Sequence, residues 1–251
     1  MNRHALTIAA ALAVFVGLAA CSSTPAPTAT YSPPPTVIVI TAEGPYQDTF
    51  DSGDGWLSGD SDNSAGQVHD GEYFLSVKKP RSLAWANEPR VFGDGVYEVN
   101  ARLVSGPEAS GFGVLLMGTS DLSAFFYVMV TDDGRYDVGY CEESCSKEQS
   151  VIGGYKLSAA ILTDNQANHL RITLNKGQLS LEVNGAEVSV VPGLVYSRGV
   201  MGFIGESDQY GGFEAAFDNF SVVETSPILV PTAVGTLAPT AEGTEGVEPA
   251  Q

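Results

Sequence analysis

The stretch from Gly95 to Tyr140 limits what this chain can fold into more than any other. It reads GVYEVNARLVSG, then GFGVLLMG, then AFFYVMVTDDGRYDVGY. Apolar and β-branched runs separated by Gly, Ser and Asp are the pattern of consecutive antiparallel strands. Successive strand side chains point to opposite faces, so Tyr97, Val99, Ala101 and Leu103 share one face while Glu98, Asn100 and Arg102 share the other. The first face is expected in a core and the second in water. Asp132-Asp133-Gly134 tolerates the conformations of a tight turn, which pairs Phe125–Thr131 with Arg135–Tyr140 as a hairpin.

The same pattern continues on both sides. Upstream, Tyr46–Phe50, Glu72–Lys78 and Ser82–Ala86 read as strands, and Trp56 stands as an apolar anchor in the polar loop DSGDGWLSGDSDNSAGQ, expected to pack onto a sheet edge. Downstream, HLRITLN, QLSLEVN and AEVSVV are joined by Lys176-Gly177 and Asn184-Gly185. Asn-Gly between alternating apolar residues is the strongest short-range hairpin signal. Arg198–Gly205 and Gly212–Val223 close the series, and the one helical candidate, Ser158–Leu162, is too short to matter. About a dozen strands with turn signals roughly every 8 to 12 residues predict an all-β fold of two packed antiparallel sheets. Lys78, Lys79, Pro80 and Pro192 suit the guarding of its edges.

The two ends differ in composition. Arg3 precedes ALTIAAALAVFVGLAA, an apolar run of signal-peptide length and short for a membrane span. Leu18-Ala19-Ala20-Cys21 then resembles the lipobox of bacterial lipoproteins. That resemblance implies a signal peptide over 1–20, lipid (diacylglycerol and a palmitate-type chain) on Cys21, and a protein held in the bacterial cell envelope facing outside the cytoplasm. Acyl chains stabilise attachment by about 0.8 kcal/mol per buried CH₂, so the membrane contact needs no protein surface. Residues 21–44 are rich in Ser, Thr and Pro and read as an extended tether; residues 225–251, rich in Pro, Thr, Gly and Glu, read as a disordered tail in which Ile228-Leu229-Val230 is apolar enough to dock as a short strand. Residues 45–224 remain as one β-sandwich domain of ordinary size.

The formal net charge of −18 disfavours nucleic acid and anionic bilayer surfaces as partners of the folded part, and leaves cations and neutral polymers. Of three cysteines, Cys141 and Cys145 remain once Cys21 carries lipid. Outside the reducing cytosol they are expected to form a disulfide that pins the end of the Arg135–Tyr140 strand. The loop CEESC is small, so its effect is local. A C-x₃-C metal site is the alternative, without a nearby His or third Cys to complete its shell.

A family likeness follows from motifs taken in order: F-D-x-G-x-G-W from Phe50 to Trp56, Asp-Gly-x-Tyr from Asp133 to Tyr136, Asn168-x-Leu170, Val183-Asn184-Gly185, Gly199-Val200-Met201-Gly202-Phe203, and Phe217-Asp218-Asn219-Phe220-Ser221-Val222. Together they resemble the concanavalin A-like lectin/glucanase superfamily, in particular LamG-like sandwich domains of exported bacterial lipoproteins related to the 3-keto-disaccharide hydrolase-like domain. The resemblance covers nearly the whole globular part and implies a jelly-roll sandwich. Members include sugar-binding modules, glycosidases and proteins without an established ligand. It also implies a structural calcium between the first and last strands, for which Asp48, Asp51 and Asp218 are the oxygens by position.

In the glucanase branch the catalytic acids sit on one strand as Glu-x-Asp-x-x-Glu. Here the polar face of the Gly95 strand offers Glu98, Asn100 and Arg102, one acid where a glycosidase uses two. Glu98 is therefore the lone catalytic candidate, and no triad is assigned to His69 or His169. Binding without catalysis needs aromatic rings and a few polar groups. Trp85, Tyr127, Tyr136, Tyr140 and Tyr210 supply the rings; Glu98, Asn100 and Arg102 supply the polar groups. Tyr127 alternates with Phe126 and Val128 and is expected to leave the core face. The sequence thus points to a membrane-anchored lipoprotein whose sandwich binds a carbohydrate or other envelope ligand without catalysis. The alternatives are a glycoside hydrolase and a structural or adhesive protein-binding module.

Overall fold

The computed structural model describes residues 37–40, 45–53, 55–196, 198–225 and 228–231, the first and last of these by backbone pairing alone. The expected signal peptide, Cys21, the rest of the expected tether and the expected tail beyond 231 lie outside the described residues.

Eighteen strands and no helix occur among the described residues. In chain order they are β1 (Val37–Ile40), β2 (Tyr46–Asp48), β3 (Gly59–Asp60), β4 (Ser64–His69), β5 (Glu72–Val77) and β6 (Leu83–Phe92), then β7 (Gly95–Ser105), β8 (Gly111–Gly118), β9 (Phe125–Thr131), β10 (Arg135–Glu142), β11 (Lys147–Ser150) and β12 (Lys156–Leu157). The last six are β13 (Asn168–Asn175), β14 (Gln178–Val183), β15 (Ala186–Val191), β16 (Gly199–Glu206), β17 (Phe213–Glu224) and β18 (Ile228–Pro231). They form two large antiparallel sheets. One has seven strands in the order β11-β10-β9-β8-β16-β6, with β12 also on β10; the other has nine in the order β15-β14-β13-β7-β17-β5-β4-β3, with β2 on β17. A separate ladder pairs β1 with β18, so Ile228-Leu229-Val230 does form a strand.

The alternation read from the sequence is the alternation found. Tyr97, Val99, Ala101 and Leu103 are buried in the space between the sheets, while Glu98, Asn100 and Arg102 lie on the outer face of the nine-stranded sheet. The hairpin of β9 and β10 pairs Val130 with Tyr136 and Phe126 with Tyr140. Both turns of the β13–β14–β15 meander place two residues in the left-handed region; Asn184 (φ 53°) and Gly185 (φ 80°) do so without strain because Asn tolerates it and Gly has no Cβ.

Trp56 departs from expectation. Far from sitting at a sheet edge, it is 5 % exposed and lies inside the sandwich. Its indole stacks on Phe203 of β16 at 4.4 Å, and Phe203 stacks in turn on Phe217 of β17 at 4.1 Å. One column of rings therefore links the loop, the seven-stranded sheet and the nine-stranded sheet. Each ring pair contributes about 0.5–1.5 kcal/mol beyond its burial. The indole N–H donates to Asp48 Oδ2 at 2.8 Å, which lets a polar group enter the core without loss.

Candidate functional site

The seven-stranded sheet is apolar on both faces. Phe126, Val128 and Val130 point into the main core, while Phe125, Tyr127 and Met129 point outward with Leu115 and Ile204 and are buried in a second, smaller cluster. What covers that cluster is the chain after β10. Cys141 and Cys145 are joined as the expected disulfide across the turn, with Cα atoms 4.6 Å apart, and β11 and the loop to Tyr155 follow.

This cover creates a polar cluster that the sequence does not announce. Asp137, on the outer face of β10, is 4 % exposed; its Oδ1 accepts from Ser150 Oγ at 2.6 Å and from the Val138 N–H at 2.9 Å. The Tyr127 hydroxyl lies 3.5 Å from Asp137 Oδ2. Tyr155 donates to Glu206 Oε2, at the end of β16, over 3.1 Å. Two glycines make room for the rings: a Cβ on Gly139 would collide with Tyr127, and one on Gly111 with the Tyr155 hydroxyl. Burial pushes the Glu206 carboxyl up, with Glu148 and Asp137 adding to the rise. Burial also raises Asp137, against the hydrogen bonds from Ser150, Val138 and Tyr127. The Tyr127 hydroxyl is driven far up by burial and by Glu148 and Asp137. All of these groups sit at separate sequence positions, and only the outward register of β9, β10 and β16 brings them together.

Beside this cluster, two depressions flank successive outward residues of β6. A groove of about 410 Å³ is lined by Leu83, Arg81, Glu148, Glu206, Ser207 and Asp208. A slot of about 270 Å³ lies by Trp85, between β6 and the short strands β3 and β4. Tyr73, Leu75 and Ala86 floor the slot, and Ser58, Asp60 and Ser64 line its rim. One edge of the Trp85 ring meets Phe125 at 5.4 Å. Its indole N–H has no hydrogen-bond partner among the described residues. Lys78 bridges Asp60 and the Ser61 carbonyl, holding the rim in place. A slot lined by aromatic residues, hydroxyls and a carboxylate can take a ring that has one apolar face and hydroxyls at its margin.

The remaining sequence candidates do not join this site. Tyr127 does leave the main core face, yet it is only 1 % exposed because the cover lies over it, so it offers no open ring. Tyr136 and Tyr140 face inward; Tyr136 Oη donates to the Val188 carbonyl at 2.6 Å, and Tyr140 packs on Phe126 at 4.8 Å. Tyr210 is 80 % exposed in the loop after β16. Glu98, Asn100 and Arg102 belong to the other sheet. Glu98 is ion-paired with Arg171 at 2.6 Å, Arg102 forms a two-point pair with Glu72, and Asn100 lies opposite His169 and Asp218.

The expected calcium ligands do not converge either. Asp48 accepts from Trp56, the Phe50 N–H and Tyr46; Asp51 accepts from Thr49; and Asp218 accepts from Asn219. Among the described residues no group of three or more His, Cys, Asp or Glu side chains is arranged to hold a metal ion.

No protein-family model and no curated protein matches the chain. Solved structures do. A Bacillus licheniformis beta-glucanase is similar at a TM-score of 0.51 and 12 % identity over 73 % of this chain and 99 % of that one. The laminarinase catalytic domain of Thermotoga maritima is similar at 0.52 and 9 %, over 76 % and 99 %. A Bacillus subtilis protein of unknown function with a galectin-like fold is similar at 0.51 and 12 %, over 74 % and 97 %. Two facing antiparallel sheets, Greek-key strand orders and these likenesses give this chain the fold of the concanavalin A-like jelly-roll sandwiches.

Proposed function

We propose that this chain is a lipoprotein anchored by lipid on Cys21, facing outside the cytoplasm, whose sandwich binds a saccharide at the slot beside Trp85 without transforming it. The observation that carries the reading is the slot itself, lined by Trp85 and Tyr73 together with Ser58, Ser64 and Asp60. Saccharide rings stack their C–H faces on indole and place hydroxyls against such rims. The solved structures of like fold include a beta-glucanase and a laminarinase, which supports a glycan as the class of ligand. A net charge of −18 disfavours acidic polymers.

The test is a glycan array read with the wild-type domain and with Trp85→Ala. Signal on a defined set of neutral glycans that disappears in the variant supports the proposal. Signal that survives Trp85→Ala removes the slot as the site. A second reading, glycoside hydrolysis, is favoured by one observation: Glu206 lines the neighbouring groove, and its carboxyl is raised by burial as a general acid requires. Turnover of a glycoside library that is lost in Glu206→Gln would establish it in place of passive binding.

A further inference from the structure

The turn that joins β10 to β11 is held in a conformation that its residues resist. Glu143 (φ 50°), Ser144 (φ 53°) and Cys145 (φ 62°) all lie in the left-handed region. Elsewhere among the described residues that region is entered singly or in pairs, and most pairs include a glycine. A left-handed backbone brings Cβ too close to the following carbonyl oxygen, a clash that Gly escapes and that Asn and Asp offset by local hydrogen bonds. Glu, Ser and Cys have neither relief. The turn is fastened by the Cys141–Cys145 disulfide, by the Ser144 N–H donating to the Ser123 carbonyl at 2.9 Å, by the Ser146 N–H donating to the Glu143 carbonyl at 3.2 Å, and by the ion pair of Lys147 with Glu143. An exposed ion pair contributes little, so the covalent link is the main constraint. Its two sulfurs differ in exposure: Cys141 is fully buried, whereas Cys145 is partly exposed between exposed Ser144 and Ser146. Both cysteines belong to or pack against the small outer cluster of Phe125, Tyr127 and Met129, and so does Trp85, whose ring meets Phe125 at 5.4 Å.

We propose that the Cys141–Cys145 bond is a thiol–disulfide exchange site for dithiol reductants, and that opening it relaxes residues 143–145 and loosens the seat of Trp85. The more exposed sulfur, Cys145 Sγ, is the one an incoming thiolate reaches. Attack there forms a mixed disulfide, breaks the Cys141–Cys145 bond and expels Cys141 as a thiolate, which takes a proton. The second thiolate of the reductant then attacks the reductant's own sulfur in the mixed disulfide and releases Cys145, which is protonated in turn. The dithiol ends as a disulfide, and this chain gains two electrons and two protons. The backbone favours the exchange: the oxidised form keeps three residues left-handed, and the reduced form is free to return them to the right-handed region. Strained and exposed disulfides are the labile ones. Because Cys141, Cys145 and Trp85 share one small cluster, a change in the turn reaches the Trp85 ring through the side chains between them. The exchange concerns the chain without ligand and so stands apart from the saccharide reading.

The test equilibrates the full chain in buffers of reduced and oxidised dithiothreitol and counts free thiols at Cys141 and Cys145 by alkylation and peptide mass. Reduction is expected to run to completion while the β9 amides stay protected from hydrogen exchange. Ser144→Gly, at an exposed position, removes the Cβ and is expected to raise the dithiol-to-disulfide ratio at half reduction at least about threefold. Ser144→Ala keeps the Cβ and is expected to match the wild type. On reduction the indole N–H resonance of Trp85 is expected to shift, while that of Trp56, buried in the main core, stays in place. A bond that opens only when the protein unfolds overturns the proposal. So does a ratio that is unchanged in Ser144→Gly or raised equally in Ser144→Ala, and so does a Trp85 resonance that complete reduction does not move.

Discussion

Phe203 is the residue through which the two sheets hold each other, with Trp56 stacked on one side and Phe217 on the other. Truncation to Ala removes both ring pairs and leaves a cavity that a β-sheet core closes poorly, so Phe203→Ala is expected to lower stability by about 3–5 kcal/mol. A denaturant midpoint measures this, and a loss under about 1 kcal/mol would mean the column is not structural. Glu98 is the opposite case. Its pair with Arg171 is partly solvated, and Glu98→Gln is expected to cost no more than about 1 kcal/mol and to leave glycan binding unchanged. The sequence assigns Glu98 to the correct strand face and Phe203 to a strand. It cannot say that the outward face at Tyr127 is covered, because the cover depends on a disulfide turn and on glycines at 111 and 139 that read only as small residues.

Among the strands, those with apolar alternation or an Asn-Gly turn are legible to within a residue or two, as β7, β9, β13 and β14 demonstrate. The ones missed lack that signal. β4 reads SAGQVH and β11 reads KEQS, sequences with too little apolar side chain to be told from loops; β11 is aligned by its partner β10 and by the Cys141–Cys145 link. β6 runs to Phe92, through Pro89, beyond the expected end at Ala86. A proline is tolerated there because β6 is the last strand of its sheet and the ladder to β16 skips at this point. Replacing Cys141 and Cys145 by Ser is expected to cost under about 3 kcal/mol globally, since the closed loop is short. The local effect is expected to be larger: proteolytic nicking over residues 142–147 should rise severalfold, out of proportion to the change in the global midpoint. Equal resistance in the variant would show that the β10–β11 hairpin needs no pin.

At the scale of the molecule, strand number, turn spacing and ordered motifs were enough to specify a two-sheet jelly roll, because a sandwich is built from repeated local patterns. The site is not such a pattern. Trp85, Ser58, Asp60 and Ser64 meet only because β3 and β4 end one sheet beside the last strand of the other, and Asp137, Glu148, Tyr155 and Glu206 meet only across folded strands. The proposed anchor has its own check: palmitate labelling in the native host is expected to vanish in Cys21→Ser, and labelling that persists would place the lipid elsewhere. The central claim is passive saccharide recognition at the Trp85 slot, and titration calorimetry with an array-positive neutral oligosaccharide tests it most directly. The expected result is binding with no turnover, weakened at least about tenfold, or about 1.4 kcal/mol, by Trp85→Ala and unchanged by Glu98→Gln. Affinity that is the same in Trp85→Ala, or heat from continuing hydrolysis that stops in Glu206→Gln, would contradict it.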